Sequence, residues 1–261
     1  MSKPMVSICI SVHNTAKYLP RCLDSIINQT FTDYEIILVN NGSTDNSEKI
    51  MQSYADKYQE KAIRIFRQKD LGLAQGRQRG VIESSGQYIM FLDADDFFSK
   101  NKTIGTLFSK IKEYNADIVE MWTDRDGQTI KSKYSESNGL IDAKDYLISF
   151  LRDGDVPTML WLRMYKRELF FPSVFPVAYI NNEDNFSLPC ILYNAHSICF
   201  VDQELHVYSS DNEQSFMNEI SSEKNQEKYT KTKISNLFIY GNYFFRMVYN
   251  KHFFFRAVLL S

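Results

Sequence analysis

Three carboxylates crowd the segment Asp93-Ala94-Asp95-Asp96, directly after the apolar run Tyr88-Ile89-Met90-Phe91-Leu92. Such a run reads as a strand buried on both faces of a sheet. Carboxylates gathered at the end of a buried strand repel one another unless a cation or a donor-rich ligand sits among them. A divalent metal is the economical partner, and hard oxygen ligands favour Mn2+ or Mg2+ over zinc. The competing reading has the three acids capping the next helix in solvent. A second acidic pair, Glu183-Asp184, could take a proton or simply place charge at a helix N-terminus, where the helix dipole favours it.

The elements that must position these groups can be read from apolar spacing. Met5 to Val12 is a first strand, followed by the turn His13-Asn14-Thr15. Leu19, Cys22, Leu23, Ile26 and Ile27 fall at the spacing of a helix packing one face on a sheet. Tyr34 to Val39 forms a second strand ending in Asn40-Asn41-Gly42-Ser43-Thr44-Asp45. There Gly42 permits a tight turn and Ser43 or Thr44 can cap a helix whose apolar face is Ile50, Met51, Tyr54 and Tyr58. A third strand, Ala62 to Phe66, and a helix, Gly72 to Ser84, complete the run up to the Tyr88 strand. Strands alternating with helices predict an α/β fold with a mostly parallel central sheet and right-handed crossovers. In open sheets of this kind ligands bind at the carboxyl edge of the strands.

Beyond Asp96 the spacing predicts a helix carrying Ile104, Leu107, Phe108 and Ile111, then a strand from Asp117 to Trp122 and a polar hairpin to about Asn138. Asp142 to Leu151 reads as a helix, and periodicity leaves Met159 to Tyr165 open between strand and helix end. Asn181 to Tyr193 reads as a helix interrupted near Pro189, and Ser197 to Val207 as a last strand. The segment 219–261 carries seven Lys or Arg against three Glu, a net of +4, among many Phe and Tyr. Such a helical extension either lies on an anionic lipid surface or packs its aromatic face on the domain.

Composition narrows the class. At 261 residues, 44% hydrophobic and 24% charged, the chain suits a globular protein, and a net charge of −2 argues against general nucleic-acid binding. Cys9, Cys22, Cys190 and Cys199 lack the paired spacing of a zinc site, so buried reduced thiols in the cytosol are expected. The start of the chain shows no apolar signal core and no run is long enough to span a membrane, so a cytoplasmic location is expected.

Three stretches together resemble the inverting glycosyltransferases of family 2 with the GT-A fold. The first is Val6 to Asn14 with Leu23 to Thr30 and Asn40 to Asp45. The second is Gly72-Leu73-Ala74 with Arg77 and Gly80, leading through Gly86-Gln87-Tyr88-Ile89 to Phe91-Leu92-Asp93-Ala94-Asp95-Asp96; the third is Glu183-Asp184 ahead of Phe186. The resemblance is strong from residue 5 to about 100 and rests beyond that on Trp161 to Phe170 and Glu183-Asp184. It implies a GT-A domain over 1–218, with a nucleotide-sugar half (1–100) and an acceptor half (101–218), followed by the 219–261 extension.

It also implies roles. Asp95 would bind the Mn2+ or Mg2+ that stabilises a diphosphate leaving group, with Asp96 supporting it. Ser11, His13, Asn14, Asn40, Asn41, Arg77, Asp93 and Ala94 would line the donor site, Asp93 beside the ribose. Asp184 would remove the acceptor proton, Glu183 would hold it or bind acceptor, and Trp161 would also face the acceptor. The family usually has two Asp where this chain has Asn40-Asn41; an Asn oxygen still accepts a bond from a uracil imide but brings no charge. Ser11 replaces a frequent Pro. The implied reaction moves a sugar from a nucleoside diphosphate, UDP first, to a growing and often lipid-linked glycan of a bacterial surface polysaccharide, at the inner face of the membrane. The rivals are a non-catalytic nucleotide- or glycan-binding relative and a nucleotidyltransferase, although His13-Asn14-Thr15 lacks the latter's glycine-rich basic loop. A dehydrogenase is disfavoured, since no G-x-G-x-x-G follows a strand.

Overall fold

Strand and helix alternate through the first half as the apolar spacing predicts: β1 (Val6–Val12), α1 (Leu19–Ile27), β2 (Tyr34–Asn41), α2 (Ser47–Lys57), β3 (Ala62–Gln68), α3 (Leu73–Glu83) and β4 (Tyr88–Phe91). A two-residue strand β5 (Phe97–Phe98) then precedes α4 (Thr103–Tyr114), β6 (Ile118–Arg125), β7 (Gln128–Ile130), β8 (Ile141–Asp142) and α5 (Ala143–Arg152). The described chain ends with β9 (Arg163–Lys166), α6 (Asp184–Asn194) and β10 (Ser197–Val207). The computed structural model describes residues 3–125, 127–137, 139–171, 173–176 and 183–212. These lie in one unit, Met1–Asn212; the 219–261 extension falls in a second, Glu213–Ser261, outside the described residues.

The sheet order is β3-β2-β1-β4-β9-β6-β10-β5. β1 pairs in parallel with β2 and β4, β2 with β3, and β6 with β10. β9 runs antiparallel to both β4 and β6, so the long strands share one direction and only β9 reverses among them. Every residue of β2 and β4 is buried, as expected where helices cover both faces. α1 lays Leu19, Cys22, Leu23 and Ile26 into that core, with Pro20 in its first turn where no amide bond is lost. α3 approaches β1 closely: a side chain at Gly76 would collide with Ser11 Oγ.

Several local expectations change. Ser43 and Thr44 do not cap α2; Ser43 Oγ accepts the Asn14 amide at 3.2 Å and the Thr44 amide donates to Asn14 Oδ1 at 2.8 Å, locking the first two loops together. Asp45 instead accepts the Ser47 amide at 2.9 Å. The turn does need Gly42, whose φ is +78° and where a Cβ would lie 2.5 Å from the Asp70 amide. Helix α6 is not interrupted at Pro189, because burial of Phe186, Leu188, Cys190, Ile191 and Leu192 outweighs one lost amide bond. Its expected first residues, Asn181 and Asn182, lie outside the described residues. The open stretch before Tyr165 is a 3-10 turn, Leu160–Leu162, leading into β9. Asp93 to Asp96 cap no helix, since α4 begins only at Thr103.

Candidate functional site

β4 delivers the acidic segment to the carboxyl edge of the sheet, and a tight turn, closed by the Asp96 amide donating to Asp93 O at 3.0 Å, keeps the three acids together. Asp93 is a quarter exposed, whereas Asp96 is 1% exposed and faces inward. Asp96 Oδ1 accepts the Ser209 amide at 2.8 Å and its Oδ2 lies 3.5 Å from His206 Nε2. Burial, then repulsion from Asp93, raises the Asp95 carboxyl; burial with repulsion from Asp93 and Asp95 raises Asp96 well above the usual range. Burial pushes His206 down to about 3, so its ring is neutral.

Arg77 ties this edge to the second acidic pair. Its guanidinium is 2% exposed, contrary to the general expectation for a helix arginine. Nη2 donates to Asp93 Oδ1 at 2.8 Å, and Nη1 donates to Glu183 Oε1 at 2.6 Å and Asp184 Oδ1 at 2.5 Å. α6 begins at Asp184, so the pair also stands at a helix N-terminus. The Leu160 amide donates weakly to Asp184 Oδ2 at 3.4 Å. Burial, then the Asp184 charge, pushes Glu183 up to about 7; burial raises Asp184 too, against the opposing Arg77 charge.

The loops after β1 and β2 bring His13, Asn14, Asn40 and Asn41 to the same edge. His13 Nδ1 lies 2.9 Å from Asn41 O. Asn40 donates to Glu48 Oε2 at 2.8 Å while its oxygen accepts the Ser43 amide at 2.9 Å. Asn41 donates to Gly72 O at 3.2 Å and accepts from Gln68 Nε2 at 2.7 Å. Both amides are thus held in place; the Asn40 oxygen keeps a second lone pair, whereas the Asn41 oxygen also accepts the Leu71 amide at 3.4 Å. Ala94 is buried and Ser11 is half-buried against α3. Trp161 is 2% exposed and stacks on His206 at 4.0 Å, one residue from the amide that meets Asp184.

Some supporting groups escape sequence reading. Arg163 on β9 is fully buried, pairs with Glu120 Oε2 at 2.5 Å, and donates to the carbonyls of Pro157 (2.6 Å) and Met159 (2.7 Å). Tyr146 completes the group by donating to Glu120 at 2.5 Å. Arg163 thereby fixes the segment that presents Leu160 and Trp161. Its signal in the sequence is a charge inside each of two apolar runs, Ile118-Val119-Glu120-Met121 and Leu162-Arg163-Met164. The segment Ser209 to Asn212 reads only as a polar turn, yet Asn212 Nδ2 donates to Asp95 Oδ2 at 2.7 Å.

The acidic edge fits a hard divalent cation. Asp95 is an oxygen donor whose charge is destabilised by burial and then by Asp93. Among the described residues no three His, Cys, Asp or Glu side chains are placed to enclose a metal. A cation held by one or two carboxylates takes its remaining ligands from substrate phosphates and water.

The Escherichia coli K12 protein described as uncharacterized glycosyltransferase YibD is 28% identical over 210 residues, covering 78% of this chain and 60% of its own. The structure of S. aureus TarS 1-349 with UDP-GlcNAc superposes with a TM-score of 0.69 at 19% identity, over 84% of this chain and 61% of that one. The mannosyltransferase PcManGT from Pyrobaculum calidifontis, solved with GDP-Man and Mn2+, gives 0.62 at 16% identity, over 82% and 59%. The chain spans about 60% of the length of these relatives. The profile described as Glycosyl transferase family 2 matches residues 7–171, well over half of the chain. With that match and the GT-A fold of its structural neighbours, the protein belongs to glycosyl transferase family 2.

Proposed function

We propose that this protein transfers a hexosyl or N-acetylhexosaminyl group from a nucleoside diphosphate donor, a UDP-sugar first, to a hydroxyl of a growing glycan, with inversion and with Mn2+ or Mg2+. One observation carries the reading: a single buried guanidinium joins Asp93, at the carboxyl edge expected to hold the donor, to Glu183 and Asp184. Donor and base are thereby registered on one rigid group. The acceptor hydroxyl oxygen attacks the anomeric carbon as the bond to the diphosphate oxygen breaks. Its proton passes to the Asp184 carboxylate, whose basicity burial has raised. Glu183 holds Arg77 beside it and Asp93 orients the ribose. Asp95, with Asp96 behind it, would hold the cation, which when bound offsets the charge that develops on the departing diphosphate.

Asn40 supplies an oxygen without charge for the uracil imide, so that contact rests on hydrogen bonding alone. The acceptor in this reading is a lipid-linked saccharide in surface polysaccharide synthesis, met at the cytoplasmic face of the membrane. The net +4 and the aromatic residues of 219–261 support that placement. Among the described residues no helix is long and apolar enough to cross a membrane.

The test is a thermal-shift panel of UDP-, GDP- and dTDP-sugars with and without Mn2+, followed by NMR of the released sugar. A ligand at 100 times its dissociation constant adds about 2.7 kcal/mol. The reading expects a Mn2+-dependent shift with a UDP-sugar and slow hydrolysis giving the inverted anomer. A donor-dependent shift without hydrolysis or transfer would favour the non-catalytic binding relative, and a retained anomer would refute inversion.

A further inference from the structure

The segment that follows β10, Tyr208 to Asn212, lies across the acidic edge and is fastened at both of its functional points. Ser209 donates its amide to Asp96 Oδ1 at 2.8 Å, and Asn212 donates its side-chain amide to Asp95 Oδ2 at 2.7 Å. Between them lies Asp211, whose charge is felt at Asp95 and which is held by α1. Arg21 grips Asp211 with both terminal nitrogens, Nη1 to Oδ2 and Nη2 to Oδ1, each at 3.1 Å. The same Nη2 donates to Ser209 Oγ at 2.7 Å and to the backbone carbonyl of Asp95 at 3.1 Å. Tyr18, at the N-cap of the helix, donates its hydroxyl to Asp211 O at 3.0 Å. The guanidinium lies over the Phe97 ring at 4.6 Å, which fixes its plane.

We propose that Arg21 is a positioning residue for the acidic edge. By latching the 208–212 strap to α1 and to the Asp95 carbonyl, it sets where Asn212 and Ser209 meet Asp95 and Asp96, and so sets the edge's affinity for its divalent cation. The proposal rests on the reading of Asp95 as the cation ligand. Arg21 touches neither donor nor cation; it acts through the strap and through the Asp95 carbonyl. The planar fork of an arginine suits this task because two parallel bonds fix the orientation of Asp211 as well as its distance. Arg21 and Asp211 are 39% and 54% exposed, so their ion pair adds little to global stability. Its consequence at the edge is geometric, beside the direct effects of the Asp211 charge on Asp95 and of the Arg21 charge on Asp96. Asn212 occupies one oxygen of Asp95 and holds the carboxylate plane, leaving the other oxygen for the cation. Partners that orient a ligand in this way typically change metal affinity by about 10- to 100-fold when removed.

The test compares Arg21→Met, Arg21→Lys, Asp211→Asn and the Arg21→Met/Asp211→Asn double variant with the full chain. Two readouts are taken, Mn2+ affinity by electron paramagnetic resonance and amide exchange of the 208–212 strap with no metal present. The latch predicts that Arg21→Met weakens Mn2+ by about 10-fold or more and speeds exchange in the strap, with the unfolding midpoint nearly unchanged. Asp211→Asn should do the same, the double variant should be no worse than either single one, and Arg21→Lys should recover only part of the loss, lacking the fork. Additive losses in the double variant, or faster exchange across the whole fold, would overturn the latch in favour of a general structural role. If the unaltered chain takes up no Mn2+, the cation reading fails, and strap exchange alone then judges whether Arg21 fastens the segment; unchanged exchange in Arg21→Met overturns it.

Discussion

Arg77 Nη1 lies 2.5 Å from Asp184 Oδ1, while Nη2 of the same guanidinium lies 2.8 Å from Asp93 Oδ1. A side chain on α3 therefore sets the distance between a residue after β4 and a residue opening α6, far apart in sequence. Three carboxylates raise the Arg77 pKa against the opposing effect of its burial, and the cation in turn keeps Asp184 from rising further.

Removing that cation leaves three partly buried carboxylates without it. Arg77→Met should cost about 3–5 kcal/mol, the range for breaking a buried ion pair from one side. Arg77→Lys should fold better but still fall well short of the parent in transfer, because one ammonium cannot hold Asp93 and Asp184 at fixed separation. Urea unfolding of both variants checks the first statement, and transfer at saturating donor the second.

The Arg163–Glu120 pair behaves differently because both partners can be replaced. Arg163→Met alone strands a carboxylate that is 1% exposed and should cost about 3–5 kcal/mol. Arg163→Met with Glu120→Leu should recover most of the loss in unfolding free energy. Activity should not recover with it, since the Pro157 and Met159 carbonyls would still lack the donor that fixes the Leu160 segment.

Asp117 gives stability a pH dependence. Burial would raise its carboxyl, but bonds from Lys166 Nζ (2.7 Å), the His196 amide (2.7 Å) and the Ser197 amide (3.3 Å) hold it below the usual range. A depressed folded-state pKa stabilises the fold above the unfolded value, near 3.9, and that contribution disappears as pH falls through the folded value. Asp117→Asn should therefore unfold at lower urea than the parent near neutral pH, with the gap narrowing below about pH 4. Urea midpoints at several pH values measure it; a gap that widens on acidification would contradict the account.

Much of this architecture was legible because its first half alternates regularly. β1, β2 and β4 are short apolar runs that end on the residues expected to carry chemistry, and α1 buries Leu19, Cys22, Leu23 and Ile26 from the predicted face. The burial of Arg77 was not legible from periodicity. It follows from Gly76 and Gly80, which let α3 settle against β1 and turn the arginine inward. β9 was ambiguous because a three-residue 3-10 turn hides its start and because Arg163 interrupts its apolar pattern. The strap at 208–212 had no signal, since Ser209-Ser210-Asp211-Asn212 has the composition of any surface turn and its meaning comes from α1, remote in sequence.

The proposed transfer depends most directly on Asp184 as the group that accepts the acceptor's proton. The deciding measurement is donor affinity and transfer rate, side by side, for Asp184→Asn and the parent, with Mn2+ and a UDP-sugar shown to bind. An asparagine keeps the shape and its one oxygen can still accept the Arg77 hydrogen bond, giving up only the weak Leu160 bond, but it cannot take the proton. The predicted result is a donor dissociation constant within a few-fold of the parent and a transfer rate lower by roughly 100-fold or more. Unimpaired transfer, or a loss of donor binding as large as the loss of rate, would contradict it.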